Sequence, residues 1–518
     1  MPSIRGTVGL NPSSGTARLF AAYGNNVQDI SAGTGYPINF TNTSNDVEFE
    51  VFLDRVFFQN NSDRPLTYRT STNVWSNEYV GRTPISRYIK KYKSRLYLGY
   101  CAFIAPQAPL DQGASAITFP SRVFYSDLFQ GSTLTWGIEW GSNGGTRGNQ
   151  FYLSTATDTI QQDFKATNIK VGDPLFLTNV GLTPNILNEK VFKVTEILAN
   201  FVLKVNEEFT ITGSGYDFWV GSNWFDVAPD DGDVITGFGE NSDRLLIFKL
   251  MSLWFYTGSQ LKQVSGALGT SYGRSIINDR YGNTYYFHGS DPKVTGIYKY
   301  NGVSSTIISK PIDKFILGMA TASYDNVVAW SEGSELSFFL GDLSATNHID
   351  AMTNARAVYN TETGAWTVEP IADVITAATT WRTGNEEDTY LGTSDDEILQ
   401  ADDGNSYNTA PMYSTVETKV YYPAGSEIIC DFPYIQVIGR NLKGIMLKFK
   451  LWDDPVHVDQ EWTSLGECTA DKTEFTLAPQ HFQGSGIQFK VDEIGTVEND
   501  WYIEKISIFY KPDRSRLL

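Results

Sequence analysis

Residues 242–258 read SDRLLIFKLMSLWFYTG. A polar turn with Asp243 and Arg244 opens an aromatic-studded apolar run that closes on Gly258. The run is too short for a membrane helix, which takes about 20 apolar residues, and Lys249 interrupts it. Its alternation predicts two strands, roughly 245–249 and 252–257, joined tightly around Leu250 and Met251. Asp243 and Arg244 are expected to hold the turn at the surface, and Gly258 to let the chain bend onward.

Relatives of this stretch recur along the chain. LDRVFFQN (53–60), YKSRLYLGY (92–100) and PSRVFYSD (120–127) each place a basic residue in a polar segment ahead of an aromatic and aliphatic strand. Later units hold two strands apiece: GNTYYFHGSDPKVTGIYKYNG (282–302), YDNVVAWSEGSELSFFLGD (324–342), ARAVYNTETGAWTVEP (355–370) and EDTYLGTSDDEILQADDGN (387–405). Asn301-Gly302 and Asp403-Gly404 are tight-turn signals. Aromatics make up 14% of the chain, which favours pleated, half-buried surfaces over helices. The one helical candidate is TNHIDAMTNARA (346–357). Strand pairs at this spacing predict a β-propeller of five to seven blades. The competing reading is an irregular set of sandwich-like hairpins that closes no ring.

Two regions break the rhythm. Residues 149–222 read as several short strands with Gly and Asn turns, a small β-barrel or sandwich inserted into or between blades. From about residue 410 the strands lengthen into a C-terminal β-sandwich. The expected fold class is therefore all-β: a propeller core, an inserted small barrel and a terminal sandwich. The expected divisions are 1–148 (N-terminal arm and first blades), 149–222, 223–409 (remaining blades) and 410–518.

Chemistry is harder to find. A formal net charge of -19 disfavours holding nucleic acid by its phosphates, although a polyanion could slide along such a surface. Cys101, Cys430 and Cys468 form neither a disulfide framework nor a zinc pattern. His288, His348, His457 and His481 lie far apart, and packing or surface roles are expected of them. The sequence shows no nucleophile elbow and no sialidase-type turn. The basic run RYIKKYKSR (87–95) reads as a solvated strand face or an ion-pairing surface. Asp231 and Asp233 in PDDGD have the alternate spacing of a calcium loop but lack the later Glu, so a solvated turn competes with a metal site. Asp395, Asp396, Glu397, Asp402 and Asp403 form a second acidic cluster. No enzyme activity, metal or cofactor is expected. No segment is long and apolar enough for a transmembrane span, and the N-terminus lacks the apolar core of a signal peptide.

KSRLYLGY, SRVFYSD, DDGDVITGF, DRLLIFKLMSLWFYTG, NTYYFHGSDPKVTGIYKYNG and ISKPIDKFI occur in that order. Together with FPYIQVIGRNLKGIMLKFKLW and ISIFYKP, this order resembles the propeller-type nozzle or tubular-tail proteins of short-tailed bacteriophages, including packaged-DNA stabilisation proteins. The resemblance covers half to two thirds of the chain and excludes 149–222. It implies a virion protein, made in the host cytoplasm, that assembles with copies of itself into a ring, usually a hexamer. Such a ring extends the DNA channel, helps retain packaged DNA and conducts it during ejection. Other tail, adaptor or fibre proteins would be its partners, and DNA would pass without sequence-specific binding. On this reading Asp230, Asp231, Asp233, Asp395, Asp396, Glu397, Asp402 and Asp403 are candidates for channel-facing loops that repel phosphates. The alternative is a receptor-binding or fibre-attachment protein recognising a host surface glycan, with Tyr216, Trp219 and Trp224 as stacking aromatics.

Overall fold

The opening stretch folds as a hairpin. Arg244–Lys249 runs antiparallel to Leu253–Tyr256, with Leu246 opposite Phe255. The computed structural model describes residues 3–517 apart from 12–15, 33, 41, 53–54, 64, 70–71, 73, 77–83, 104–116, 129–135, 137–138, 154–168, 180–190, 210–211, 221–222, 344–350, 384–385, 402–405, 408–409, 412–414, 453–461, 477–482 and 494–501. The chain divides into two units, Met1–Ala401 and Asp402–Leu518, and is all-β.

Among the described residues, the first unit holds seven small antiparallel sheets and one barrel. Six of these sheets have four strands and the seventh has three. In every sheet the strand that comes first in the chain lies at one edge. These edge strands are Ile4–Leu10, Glu48–Phe52, Ile85–Tyr92, Ile235–Asn241, Ile277–Asn278, Val328–Glu332 and Ile375–Thr383. They neighbour one another in that order, and Ile375–Thr383 returns to lie against Ile4–Leu10.

This cycle explains the burial pattern. A sheet with one wet face alternates buried and exposed residues. Here Arg55–Gln59 is buried throughout, and Arg244–Lys249 is buried at every position after the first. Each sheet lies between two others, so both faces need apolar side chains. The gaps fill accordingly. Leu246 and Phe248 of the fourth sheet meet Tyr286 and Tyr300 of the fifth. Phe287 and Ile297 of the fifth meet Leu336 and Phe338 of the sixth. The seventh closes on the first through Ile4, Ala21 and Ala377.

The barrel interrupts the third sheet. Ile117–Tyr125 pairs with Trp224–Asp226, and the barrel lies between them in sequence. Its strands are Glu139–Arg147, Gln150–Leu153, Pro174–Asn179, Val191–Ala199, Val202–Val205 and Gly213–Val220, around a core that includes Phe151, Leu175 and Phe218. The first strand starts ahead of residue 149 because EWGSNGGTR, which looks like a turn, pairs as a strand with register shifts at Gly141, Gly144 and Gly145.

The helical candidate is corrected. Met352–Asn360 is a strand between two partners, with Ala355 and Ala357 in the core. Of the rest of that candidate, 346–350 lies outside the described residues, as does Asp403-Gly404. The second unit places Ile435 and Val437 of Ile428–Arg440 in one core with Leu447 and Phe449 of Ile445–Trp452 and with Phe489 of Gly486–Glu493. These strands belong to two separate four-stranded sheets. All three cysteines are free and buried.

Candidate functional site

The seven edge strands converge on one cavity, and three of them also line a second. One, of about 300 Å³, takes lining residues from every edge strand, among them Thr7, Glu48, Lys90, Phe238, Ile277, Trp330 and Thr379. The other, of about 370 Å³, includes Arg5, Asp46, Tyr272, Asp342 and Thr376. Between them stands a half-buried ionic cluster, since Arg274 lines the first cavity and its partners Asp46 and Tyr272 line the second.

Arg274 sits in the short 3-10 turn Gly273–Ser275 that links the fourth sheet to the fifth. Its guanidinium donates to the backbone carbonyls of Thr376 in the seventh sheet and Arg5 in the first. A third hydrogen bond reaches Val47 O at 3.4 Å. The carboxylates of Asp46 and Glu48 lie 3.4 and 3.8 Å away. Tyr272 donates its hydroxyl to Asp46. One side chain thus bridges parts of the cycle that are more than two hundred residues apart in sequence.

The electrostatics follow from that position. Burial alone would lower the Arg274 pKa, but Tyr272, Asp46 and Glu48 outweigh it and hold the group above its ordinary range. Burial pushes Glu48 up despite the opposing charge of Arg274. It also pushes the Tyr272 and Tyr88 hydroxyls up, which keeps them protonated. A charge held this way is stabilising only while its partners remain, because a lone buried ion is strongly destabilising. The cluster therefore ties the link between the fourth and fifth sheets to the first and seventh.

The sequence-predicted acidic residues lie elsewhere. Asp231 accepts from Lys249 Nζ at 2.6 Å, and the same ammonium donates to Val227 O and Ala228 O at 2.9 and 3.0 Å. Lys249 does not break the run as a solvated charge; it is buried inside it. Asp233 accepts from the amides of Leu250 and Met251 at 3.1 and 2.8 Å, capping the hairpin turn. PDDGD is thus mainly a turn that neutralises a buried lysine. Asp230 is exposed. Asp395, Asp396 and Glu397 are exposed in a turn of the seventh sheet. None of these six carboxylates lines either axial cavity. Asp402 and Asp403 lie outside the described residues.

The candidate stacking aromatics are also relocated. Tyr216 is buried in the barrel core, so its ring presents no face to a glycan. The side chain of Trp219 lies outside the described residues. Trp224 has the Arg122 guanidinium 3.4 Å and the Lys170 ammonium 3.9 Å from its ring centroid. Its indole N–H donates to Asp173. Arg122 in turn pairs with Asp226 at 2.7 Å and donates to Gly172 O at 2.7 Å. Trp224 is therefore the fastening between barrel and third sheet. Asp173 is pushed up to about 6, mainly by burial, against the opposing Trp224 and Lys170 hydrogen bonds.

His288 packs as expected, buried with Ser290 Oγ 2.7 Å from Nε2, and burial lowers its pKa. In the basic run, Lys90 faces the first cavity and Lys93 donates to Thr257 O at 2.9 Å. Sequence reasoning missed Arg274. Its only local signal is YGRS, a glycine-flanked basic residue in a link between repeats. No helix among the described residues is long and apolar enough to cross a membrane.

No family model matches the chain, and no curated protein matches it. Among solved structures, the computationally designed Ika8 protein aligns at a TM-score of 0.33 and 8% identity, covering 77% of this chain and 96% of its own. A protein described as a glycoside hydrolase aligns at 0.21 and 10%, covering 62% and 94%. Likenesses this weak carry no argument about function.

Proposed function

We propose that residues 1–401 form a seven-bladed β-propeller with a barrel inserted in its third blade. We further propose that the protein is a non-enzymatic component of a bacteriophage tail, of the nozzle or neck type. In this reading copies assemble into a ring, a hexamer in the simplest case, that extends the DNA channel and conducts the genome during ejection. Its partners are other tail, adaptor or fibre proteins, and its place is the virion.

The observation that supports this reading best is the set of backbone hydrogen bonds that Arg274 makes at the centre of the cycle. Arg274 spends its hydrogen bonds on the chain's own backbone, which commits the centre of the cycle to holding sheets together. No polymer can thread a single copy there. A DNA channel must then lie between copies, where the net charge of -19 would keep phosphates from sticking. The exposed Asp230, Asp395, Asp396 and Glu397 are the described residues to look for on that lumen.

Mass photometry and negative-stain microscopy of the purified full chain test the reading. A closed multi-copy ring with an axial hole wide enough for duplex DNA, roughly 20 Å or more, is the expected result. A monomer or trimer that binds host cells would replace it with the receptor-binding alternative.

A further inference from the structure

The first axial cavity has a charged and partly apolar lining. It is lined by two carboxylates, Glu48 and Glu50, and two cations, Lys90 and Arg274. Glu50 lies 3.9 Å from Lys90 and Glu48 lies 3.8 Å from Arg274. Both separations exceed a hydrogen bond. Among the described residues no donor hydrogen-bonds to either carboxylate, so both keep their acceptor capacity towards the cavity.

Two further groups stand idle there. Thr7 and Trp330 line the cavity and are 9% and 2% exposed. The Thr7 hydroxyl and the Trp330 indole N–H have no hydrogen-bond partner among the described residues. Buried polar groups are normally satisfied, and an orphan beside a cavity points to a missing partner. Phe49 and Phe238 add apolar wall.

The lining balances its charges, so it favours a neutral ligand. It offers acceptors for several hydroxyls, donors for hydroxyl oxygens and aromatic surface for C–H groups. A pocket that is mainly a shaped wall with a few placed polar groups is the usual form of a small-molecule site, and about 300 Å³ is at its small end. We propose that this cavity binds a small neutral polyhydroxylated molecule, a single sugar unit. Glu50 and Glu48 would accept hydrogen bonds from its hydroxyls, and the Thr7 hydroxyl and Trp330 indole N–H would donate to it. The site is independent of whether the chain assembles in a tail.

Saturation-transfer NMR on the full chain, with the methyl glycosides of glucose, galactose, mannose and N-acetylglucosamine as probes, tests the proposal. At least one probe should receive saturation at millimolar concentration. Glu50→Gln and Thr7→Val should each weaken its binding about tenfold, the scale of one good hydrogen bond. Thermal unfolding of the variants alongside the parent separates lost binding from lost fold. A variant that unfolds early is replaced by Trp330→Phe, which keeps the ring and removes the N–H. Silence from all four probes would overturn the proposal, and so would binding that ignores every stably folded variant.

Discussion

Two contacts in the cycle of sheets are built on opposite physical terms. Between the fifth and sixth sheets fifteen buried side chains form one apolar cluster, with Phe287, Phe338 and Leu340 fully enclosed. Between the seventh and the first, the buried cluster among the described residues is Ile4, Ala21 and Ala377. The closing contact relies instead on close backbone approach and hydrogen bonds. Thr376 Oγ1 donates to Ile4 O at 2.6 Å, and the Gly9 amide donates to Thr379 Oγ1 at 3.3 Å. A Cβ on Gly392 would fall 2.4 Å from Ile4 Cγ2, and one on Gly9 would fall 2.7 Å from Trp381 Cβ. Neighbouring sheets can collapse onto bulk as they fold. The closing pair must find each other across the whole unit, and a tight, directional contact then fixes one register.

The largest effect is expected in the apolar contact. Phe338→Ala should lower the stability of the first unit by about 3–5 kcal/mol in denaturant unfolding. A loss under about 1 kcal/mol would mean that this cluster is not the main support. Gly392→Val should cost about 3 kcal/mol, at the upper end for overpacking, because the clash involves a packed isoleucine rather than a flexible tip. Its mark is regional: limited proteolysis should open the chain near Ile4–Leu10 while the fifth and sixth sheets stay protected.

The barrel fastening is a third kind of contact and should respond to acid. Asp173 has its carboxyl pushed up to about 6. Ionised Asp173 is therefore unfavourable in the folded state at neutral pH. That penalty is complete above pH 6 and fades as the pH falls towards the ordinary carboxylate range. The fastening should firm by about 2 kcal/mol from pH 7 to pH 4, read as slower proteolysis around residues 169–173 relative to Asp173→Asn. Acid weakening specific to the parent would contradict the assignment. The smallest effect is Thr376→Val, about 1 kcal/mol for one hydrogen bond, confined to the closing contact.

Much of the strand order was legible in the sequence, for a physical reason. Aromatic and β-branched residues crowd where strands bury both faces, and SDRLLIFKLMSLWFYTG carries that signal with no outside help. The first sheet is quieter. IRGTVGL and RLFAAY bury Ile4, Leu10, Leu19 and Phe20, but Gly6, Ala21 and Ala22 dilute the apolar signal between them, and 1–148 therefore reads as an arm followed by blades. Lys249 and Arg274 were illegible as core residues because what neutralises them comes from distant segments. Asp231 is 18 residues from Lys249, and the Arg5 carbonyl is 269 from Arg274. The acidic turns looked functional because charge density is visible in sequence, whereas its direction depends on the fold. The axial cavity assembles one to four residues from each edge strand, which no local motif could announce.

The central claim is that the first and seventh sheets meet and close the cycle. Native-state hydrogen exchange by mass spectrometry on the full chain tests it directly. Peptides covering Ile4–Leu10 and Ile375–Thr383 should lose protection together as denaturant rises, ahead of Glu335–Leu343 in the sixth sheet. Independent exchange of the two peptides, or loss in the sixth sheet first, would contradict the closure.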